Sequence, residues 1–275
     1  MTVTITRDLR YATVDGQPLL ADLYRPQGAG TPPVCLYMHG GGFQFGSRGD
    51  DSEQRLAAMA GHGIAVLSID YRLTPAKFPD QLHDVKAAVP WLRANAAEHG
   101  VAGERIGAWG ASAGAILAAL AGLTGDRDDL EGAVGDHADR SSRVDAVVTW
   151  FGVFDMLSSA LRSGLEARLM PHEFSATYLG VGGHADVAGL GEAARAASPL
   201  DLVTGSAPPF LIAHGDRDRM APMAESQALH DRLVRAGAPS SLLLVGGAGH
   251  EGAAFEAPAN LALTAAFLKV HLGAA

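Results

Sequence analysis

The sequence predicts an α/β fold, with a mostly parallel eight-stranded β-sheet that carries helices on both faces. Short apolar runs alternate with amphipathic segments from about residue 30 to the end of the 275-residue chain. Hydrophobic residues make up 48% of the chain and charged residues 19%, a composition that excludes a disordered protein.

An antiparallel hairpin is predicted first, from TITRDLRYA and QPLLADLYR, which Val-Asp-Gly-Gln joins at one edge of the sheet. Six buried strands are predicted after it, at 33–40, 63–71, 105–112, 145–152, 210–216 and 240–247. Helices are predicted at 52–62, 81–99, 113–123, 222–237 and 258–272. Because no linker or repeat divides the chain, residues 1–275 are expected to form one domain, with 155–200 as a cap insertion over the strand ends.

Charge and cysteine content exclude several classes of protein. The net charge of −9 argues against nucleic-acid binding, which needs a basic surface. The single cysteine, Cys35, cannot form an intrachain disulfide. No apolar run is long enough to cross a membrane, and the first residues lack the apolar stretch of a signal peptide. A cytoplasmic protein without membrane contact is therefore expected. The acidic loop 125–143 lacks metal-ligand spacing, so no metal is expected there.

The motif GASAG (110–114) directly follows a predicted strand and opens a predicted helix. A serine on such a sharp turn exposes its hydroxyl, and small flanking residues leave room for the tight backbone. The pentapeptide alone is also compatible with an ordinary glycine-rich turn. The strand before it and the helix after it favour a nucleophile at Ser112.

A serine nucleophile needs a base, and the base needs an acid that orients it. His250 lies in a glycine-rich loop after the last predicted strand, while Asp216 and Asp218 follow His214 in the motif HGDRD. The chain order Ser112, Asp218, His250 is the one expected for a nucleophile on a strand-to-helix turn. Asp218 is favoured over Asp216 because it lies further into its loop, and His214 is interpreted as structural.

The motif HGGGF (39–43) ends the first buried strand after the hairpin. Consecutive glycines let backbone N–H groups converge on one point, where they can stabilise an oxyanion together with the N–H of Ala113. A flexible turn and a phosphate-binding loop are the alternatives. A phosphate loop is disfavoured because no lysine follows and the G-x-G-x-x-G spacing is absent.

The motifs HGGGF, DYRL followed by FP, GASAG, HGDRDRMAP and GAGHEG occur in one order between about residue 10 and about residue 270. In this the chain resembles the hormone-sensitive-lipase-type carboxylesterases of the α/β-hydrolase fold, close to the bacterial feruloyl and acetylxylan esterase-like enzymes. The resemblance implies a serine carboxylesterase for short-chain or aromatic acyl esters that uses no cofactor. It implies Ser112 as nucleophile, His250 as base and Asp218 as acid. The implied oxyanion donors are Gly41, Gly42 and Ala113.

The substrate is expected to be a small-molecule ester in an open, modest pocket. Side chains near the strand ends are predicted to line it, with core packing as the alternative for each: Phe43, Phe45, Trp150, Phe151, Phe154 and Met156. The same triad could serve an amidase or formamidase, a lactone hydrolase or a lyase. A non-catalytic binding protein is a further alternative. Loss of a triad residue would mark that class, and all three residues are present here. A homodimer through an edge strand or the last helix is one expectation for assembly.

Overall fold

Eight strands form one sheet in the order β1-β2-β4-β3-β5-β6-β7-β8. The computed structural model describes residues 2–28, 30–125, 127–160, 174–180 and 187–273. The strands are β1 (Val3–Val14), β2 (Gln17–Pro26), β3 (Pro33–Met38), β4 (Ala65–Ile69), β5 (Ala102–Ala111), β6 (Ala146–Trp150), β7 (Phe210–Gly215) and β8 (Ser240–Val245).

The strand pairing confirms the predicted mixed sheet. β1 and β2 form the antiparallel edge hairpin, and β2 also pairs antiparallel with β4. The pairs from β4 through β3, β5, β6 and β7 to β8 are all parallel. Since β3 crosses over to pair with β5, the HGGGF motif lies beside the GASAG motif.

The helices follow the predicted amphipathic segments closely. In the described residues they are α1 (Ala58–Gly61), α2 (Asp80–Asn95), α3 (Ala113–Leu123), α4 (Met156–Ala160), α5 (Phe174–Leu179), α6 (Val187–Ala197), α7 (Ala224–Arg235) and α8 (Pro258–Leu272). The helix expected at 52–62 differs in kind, because its first part, Ser52–Ala57, is π-helical and only its end is α-helical. Leu56 N donates to Asp51 O at 3.2 Å across this wider turn.

A hydrophobic core lies on each face of the sheet. The first core joins residues of α2 and α3, such as Leu92 and Leu117, to strand residues such as Leu36. The second core joins residues of α1 and α8, such as Leu268, to strand residues that point to the opposite face of the sheet, such as Trp109. Alternating side chains of one strand therefore enter opposite cores, as expected for a sheet covered on both sides.

The described part of the predicted cap packs against the first core. Tyr178, Ala194 and Ala197 are buried there together with Met156. Residues 161–173 and 181–186 of the cap lie outside the described residues. The single domain and the cap function stay predictions. None of the described helices has the length and apolar character needed to cross a bilayer.

Candidate active site

Four loops meet at the carboxyl edge of the parallel strands. They follow β3, β5, β7 and β8, and they carry respectively the HGGGF motif, Ser112, Asp218 and His250. Since β3 pairs with β5 and β7 pairs with β8, the sheet order brings the first two loops together and the last two together. Crevices at this edge of open α/β sheets are the usual ligand sites.

Ser112 lies on a strained turn between β5 and α3. Its backbone has φ 52° and ψ −117°, a conformation that residues other than glycine rarely adopt. Its two flanking glycines are sterically required. A Cβ on Gly110 would lie 2.0 Å from Gly114 O, and one on Gly114 would lie 2.0 Å from Met38 O. The GASAG sequence therefore folds into a turn that only glycine permits at both positions.

A hydrogen-bonded chain joins the three predicted triad side chains. The distance from Ser112 Oγ to His250 Nε2 is 3.0 Å. On the other side of the ring, His250 Nδ1 lies 2.8 Å from Asp218 Oδ2. Because a carboxylate accepts only, Nδ1 carries the ring proton and Nε2 is free to accept from the serine hydroxyl. This tautomer is the one that lets a histidine remove a proton from serine.

Asp218 is enclosed and fully hydrogen-bonded. Its side chain has no exposed surface. Its Oδ1 accepts from the N–H groups of Met220 and Ala221, at 2.8 and 2.9 Å. Burial alone would raise the pKa of this carboxyl, but hydrogen bonds from His214, His250 and Ala221 outweigh burial and hold the pKa well below its ordinary value of 3.8. Asp218 is therefore a fixed negative charge beside His250.

Asp216, the competing acid, has a different position. It is exposed, and its Oδ1 accepts from Gly247 N at 2.6 Å. The structure thus places Asp218, not Asp216, beside the imidazole.

The glycine loop after β3 touches Ser112. A Cβ on Gly40 would lie 3.3 Å from Ser112 Cβ. Gly41 has φ 110°, and a Cβ on it would lie 2.0 Å from Phe45 O, so the turn requires glycine. Within the described residues, the N–H groups of Gly41, Gly42 and Ala113 donate to no protein acceptor. These donors are thus available to a ligand.

His39 supports this loop from below. Its ring stacks on Tyr71 at 4.4 Å between centroids, and Tyr71 OH donates to His39 O at 2.8 Å. Burial lowers the pKa of His39 below its ordinary value of 6.5, so the ring is neutral at pH 7. Its Nδ1 lies 2.7 Å from Gly40 O and donates to it. The histidine of HGGGF therefore fixes the glycine backbone.

The loop that carries His250 is anchored by a buried arginine that the sequence analysis missed. Arg55, with 1% of its side chain exposed, forms ion pairs with Glu256 and, at 3.4 Å, with Glu251. Its Nη1 also donates to Tyr37 OH at 2.7 Å. The sequence carries little signal for this role, because an arginine in an amphipathic segment is usually solvated.

The predicted pocket residues are placed differently from the expectation. Only Phe45, 66% exposed, presents open aromatic surface; the other five are buried in the cores: Phe43, Trp150, Phe151, Phe154 and Met156. Phe151 packs edge-on against the His250 ring at 5.0 Å and so shapes the site from beneath. Strand ends are where buried packing residues and site residues alternate, which is why the sequence could not separate the two.

Comparison with known proteins identifies the family of this chain. The family model described as BD-FAE matches residues 21–233. Esterase LipC of Mycobacterium tuberculosis is 35% identical over 242 residues, which cover 86% of this chain and 57% of LipC. Esterase LipQ of the same organism is 32% identical over 236 residues, covering 85% of this chain and 53% of LipQ. The chain thus spans little more than half the length of these curated relatives.

Solved structures agree over nearly the whole chain. A truncated carbohydrate esterase from gut microbiota superimposes with a TM-score of 0.84 at 28% identity, covering 98% of this chain and 96% of that one. The propionate-bound esterase 2 of Thermogutta terrifontis superimposes with a TM-score of 0.72 at 27% identity, covering 98% and 91%. The fold is the α/β-hydrolase fold of these esterases, as the resemblance implied.

Proposed function

The chain belongs to the BD-FAE family, and on that premise we propose that it is a serine carboxylesterase acting on short-chain or aromatic acyl esters of small molecules. The observation that carries the proposal is the hydrogen-bonded chain from Ser112 through His250 to Asp218 at the carboxyl edge of the sheet. This arrangement makes a serine hydroxyl nucleophilic at neutral pH. The cytoplasmic location and the homodimer stay predictions from the sequence.

Ser112 Oγ attacks the carbonyl carbon of the ester while its proton passes to His250 Nε2. The negative charge that develops on the carbonyl oxygen is stabilised by the N–H groups of Gly41, Gly42 and Ala113 and by the amino end of α3. When the C–O bond breaks, the departing alcohol takes the proton from His250. The acyl group is then bonded to Ser112.

Water completes the reaction by the same steps. His250 takes a proton from the water as its oxygen attacks the acyl carbon, and the acid product leaves when the bond to Ser112 Oγ breaks and the proton returns to that oxygen. Asp218 stays ionised throughout and stabilises the imidazolium that forms twice in each cycle.

The acyl preference is supported by the relatives. Structures of the Thermogutta terrifontis esterase 2 were solved with propionate and with butyrate, and three further matches are acetyl esterases of Salmonella. Among the predicted pocket residues of this chain, Phe43 and Phe151 are buried, whereas Phe45 is exposed and free to contact a bound ester.

A series of 4-nitrophenyl esters from acetyl to decanoyl tests the proposal. We expect turnover that is fastest for short chains and is lost in Ser112→Ala. Paraoxon provides a substrate-independent check, since it should label Ser112 of the wild type and leave Ser112→Ala unlabelled. Ser47→Ala, an exchange of a serine in the loop after the glycine motif, is the control and should keep both properties. A folded wild type that hydrolyses no ester, or a Ser112→Ala variant that remains active, would refute the proposal.

A further inference from the structure

A second histidine lies directly behind Asp218. His214 is in β7, four residues earlier in the chain, and its side chain has no exposed surface. His214 Nε2 lies 3.2 Å from Asp218 Oδ2, the same oxygen that receives His250. Two imidazole rings therefore contact the same carboxylate oxygen.

The partners of His214 fix its protonation. Nε2 faces two acceptors, Asp218 Oδ2 and the carbonyl oxygen of Ala221 at 2.8 Å, and so must carry a proton. Nδ1 lies 2.7 Å from Ser226 Oγ, which is also fully buried. In the neutral ring Nδ1 accepts from the serine hydroxyl, and Ser226 thereby holds the ring in the orientation that directs Nε2 toward Ala221 O and Asp218.

We infer that His214 is a positioning residue for the proposed hydrolysis: it holds the Asp218 carboxylate in the orientation that receives His250 Nδ1. The inference rests on the proposed function. Three hydrogen bonds hold the carboxylate, one from His250 Nδ1 to Oδ2 and two from backbone N–H groups to Oδ1. The N–H of His214, which donates to Ala221 O, lies against Oδ2 at 3.2 Å as a fourth contact. Removing this contact frees the rotation of the carboxylate and concentrates its charge on His250.

The charged side chains that lie near these two residues in the described structure have other surroundings. Asp216, Arg217 and Arg219, in the same loop, are exposed. Glu225, at the start of α7, directs Oε2 to the N–H groups of the loop after β6, at 3.0 Å. Among the described residues, His250 and His214 are the side chains that approach Asp218 Oδ2, at 2.8 and 3.2 Å.

Three substitutions test the role. His214→Met removes the donor at similar length, and His214→Gln restores an N–H group where Nε2 lies. We expect kcat for a 4-nitrophenyl ester to fall about ten- to a hundredfold in His214→Met, with KM nearly unchanged, and to recover largely in His214→Gln. Ser226→Ala keeps the ring but removes the hydroxyl that holds its orientation, and should lower kcat by a smaller factor.

A matched control for Ser226→Ala involves His230, which lies on the same helix as Ser226, α7. His230 Nδ1 lies 2.9 Å from Ser240 Oγ, a similar histidine–serine pair that makes no contact with Asp218 in the described structure. Ser240→Ala should leave kcat and KM unchanged. Equal loss in Ser226→Ala and Ser240→Ala would overturn the inference. If His214→Met does not fold, Ser226→Ala against Ser240→Ala carries the test.

The Nδ1 proton of His250 gives an NMR test that needs no substrate, because its chemical shift reports the hydrogen bond to Asp218. This resonance should move in His214→Met and in Ser226→Ala and should keep its position in Ser240→Ala. An unchanged resonance together with an unchanged kcat would overturn the role of His214. Failure of the wild type to hydrolyse any ester would refute the proposed function instead, and the resonance would still decide the inference.

Discussion

Two aspartates only two positions apart lie in opposite environments. Asp218 has no exposed side-chain surface and bonds to His250, whereas Asp216 is exposed and bonds to the backbone of Gly247. An ionised carboxylate is costly to bury unless donors surround it. Three hydrogen bonds to Asp218 meet that requirement, so its charge is fixed beside His250.

Asp218→Asn and Asp216→Asn form a matched pair. We expect Asp218→Asn to reduce kcat about 10⁴-fold, because the amide can donate to His250 and favour the wrong tautomer. Asp216→Asn should change kcat little. Steady-state hydrolysis of a 4-nitrophenyl ester measures both. Similar activity in the two variants would contradict the assignment of Asp218 as the orienting acid.

The sequence predicts which residues come together in the candidate site, but it does not predict all of the contacts that position them. Ser112, Asp218 and His250 follow strands, and the order of those strands in a parallel sheet brings their ends together. The sequence analysis interprets His214 as structural, because nothing in the motif HGDRD shows that its ring faces the carboxylate of the residue four positions later. Side-chain direction at the end of a strand depends on the loop that follows, which local patterns do not determine.

Steric requirements in the first turn of α3 lead to a second matched pair. Gly114→Ala would place a methyl group 2.0 Å from Met38 O, a backbone atom that cannot yield without moving β3. Gly61→Ala, at the end of α1, meets nothing within 4 Å. We expect Gly114→Ala to lose activity and thermal stability and Gly61→Ala to keep both. Thermal melts and ester assays on both variants are the measurements, and a fully active Gly114→Ala would contradict the geometry of the turn.

Arg55 ties the π-helical segment to the loop that carries His250. Arg55→Met leaves the carboxylates of Glu256 and Asp51 without their buried cation, and we expect a loss of about 3–5 kcal/mol in the free energy of unfolding. Arg127→Met, which breaks the exposed pair with Asp129, should change stability little. Urea denaturation compares the two. Equal effects would show that Arg55 is not a buried anchor.

The elements themselves were largely predictable, because strand and helix periods alternate along the chain and the hairpin has its own turn signal. Two features were not. The segment 52–57 has a helical pattern, but its π-helical hydrogen bonds depend on tertiary contacts such as those of Arg55. The burial of Trp150 depends on Trp109 and Phe255, neighbours that come from other strands and loops.

The two cores share one sheet, and this links the stability of its faces. Leu36 enters the first core and Tyr37 the second, so a strand that leaves the sheet disrupts both. Part of the predicted cap is also packed into the first core, through Tyr178. One cooperative unit is therefore expected, in keeping with the single domain predicted from the sequence.

A substitution that destabilises one core should therefore lower the unfolding midpoint of the other core as well. Leu117 is fully buried in the first core, and Leu117→Ala should cost about 2–5 kcal/mol of unfolding free energy. In a Trp91→Phe background the remaining tryptophans, Trp109 and Trp150, both report the second core. Their fluorescence and the far-UV circular dichroism should then shift to the same lower denaturant midpoint.

The exposed Leu263 of α8 is the control, and Leu263→Ala should move neither midpoint appreciably. If Leu117→Ala shifted the circular dichroism transition but left the fluorescence transition in place, the faces would unfold separately. The shared strands make that outcome physically costly, because a half-covered parallel sheet exposes an apolar face to water. Coincident transitions would mean that the strand ends carrying Ser112, Asp218 and His250 are held by both cores at once.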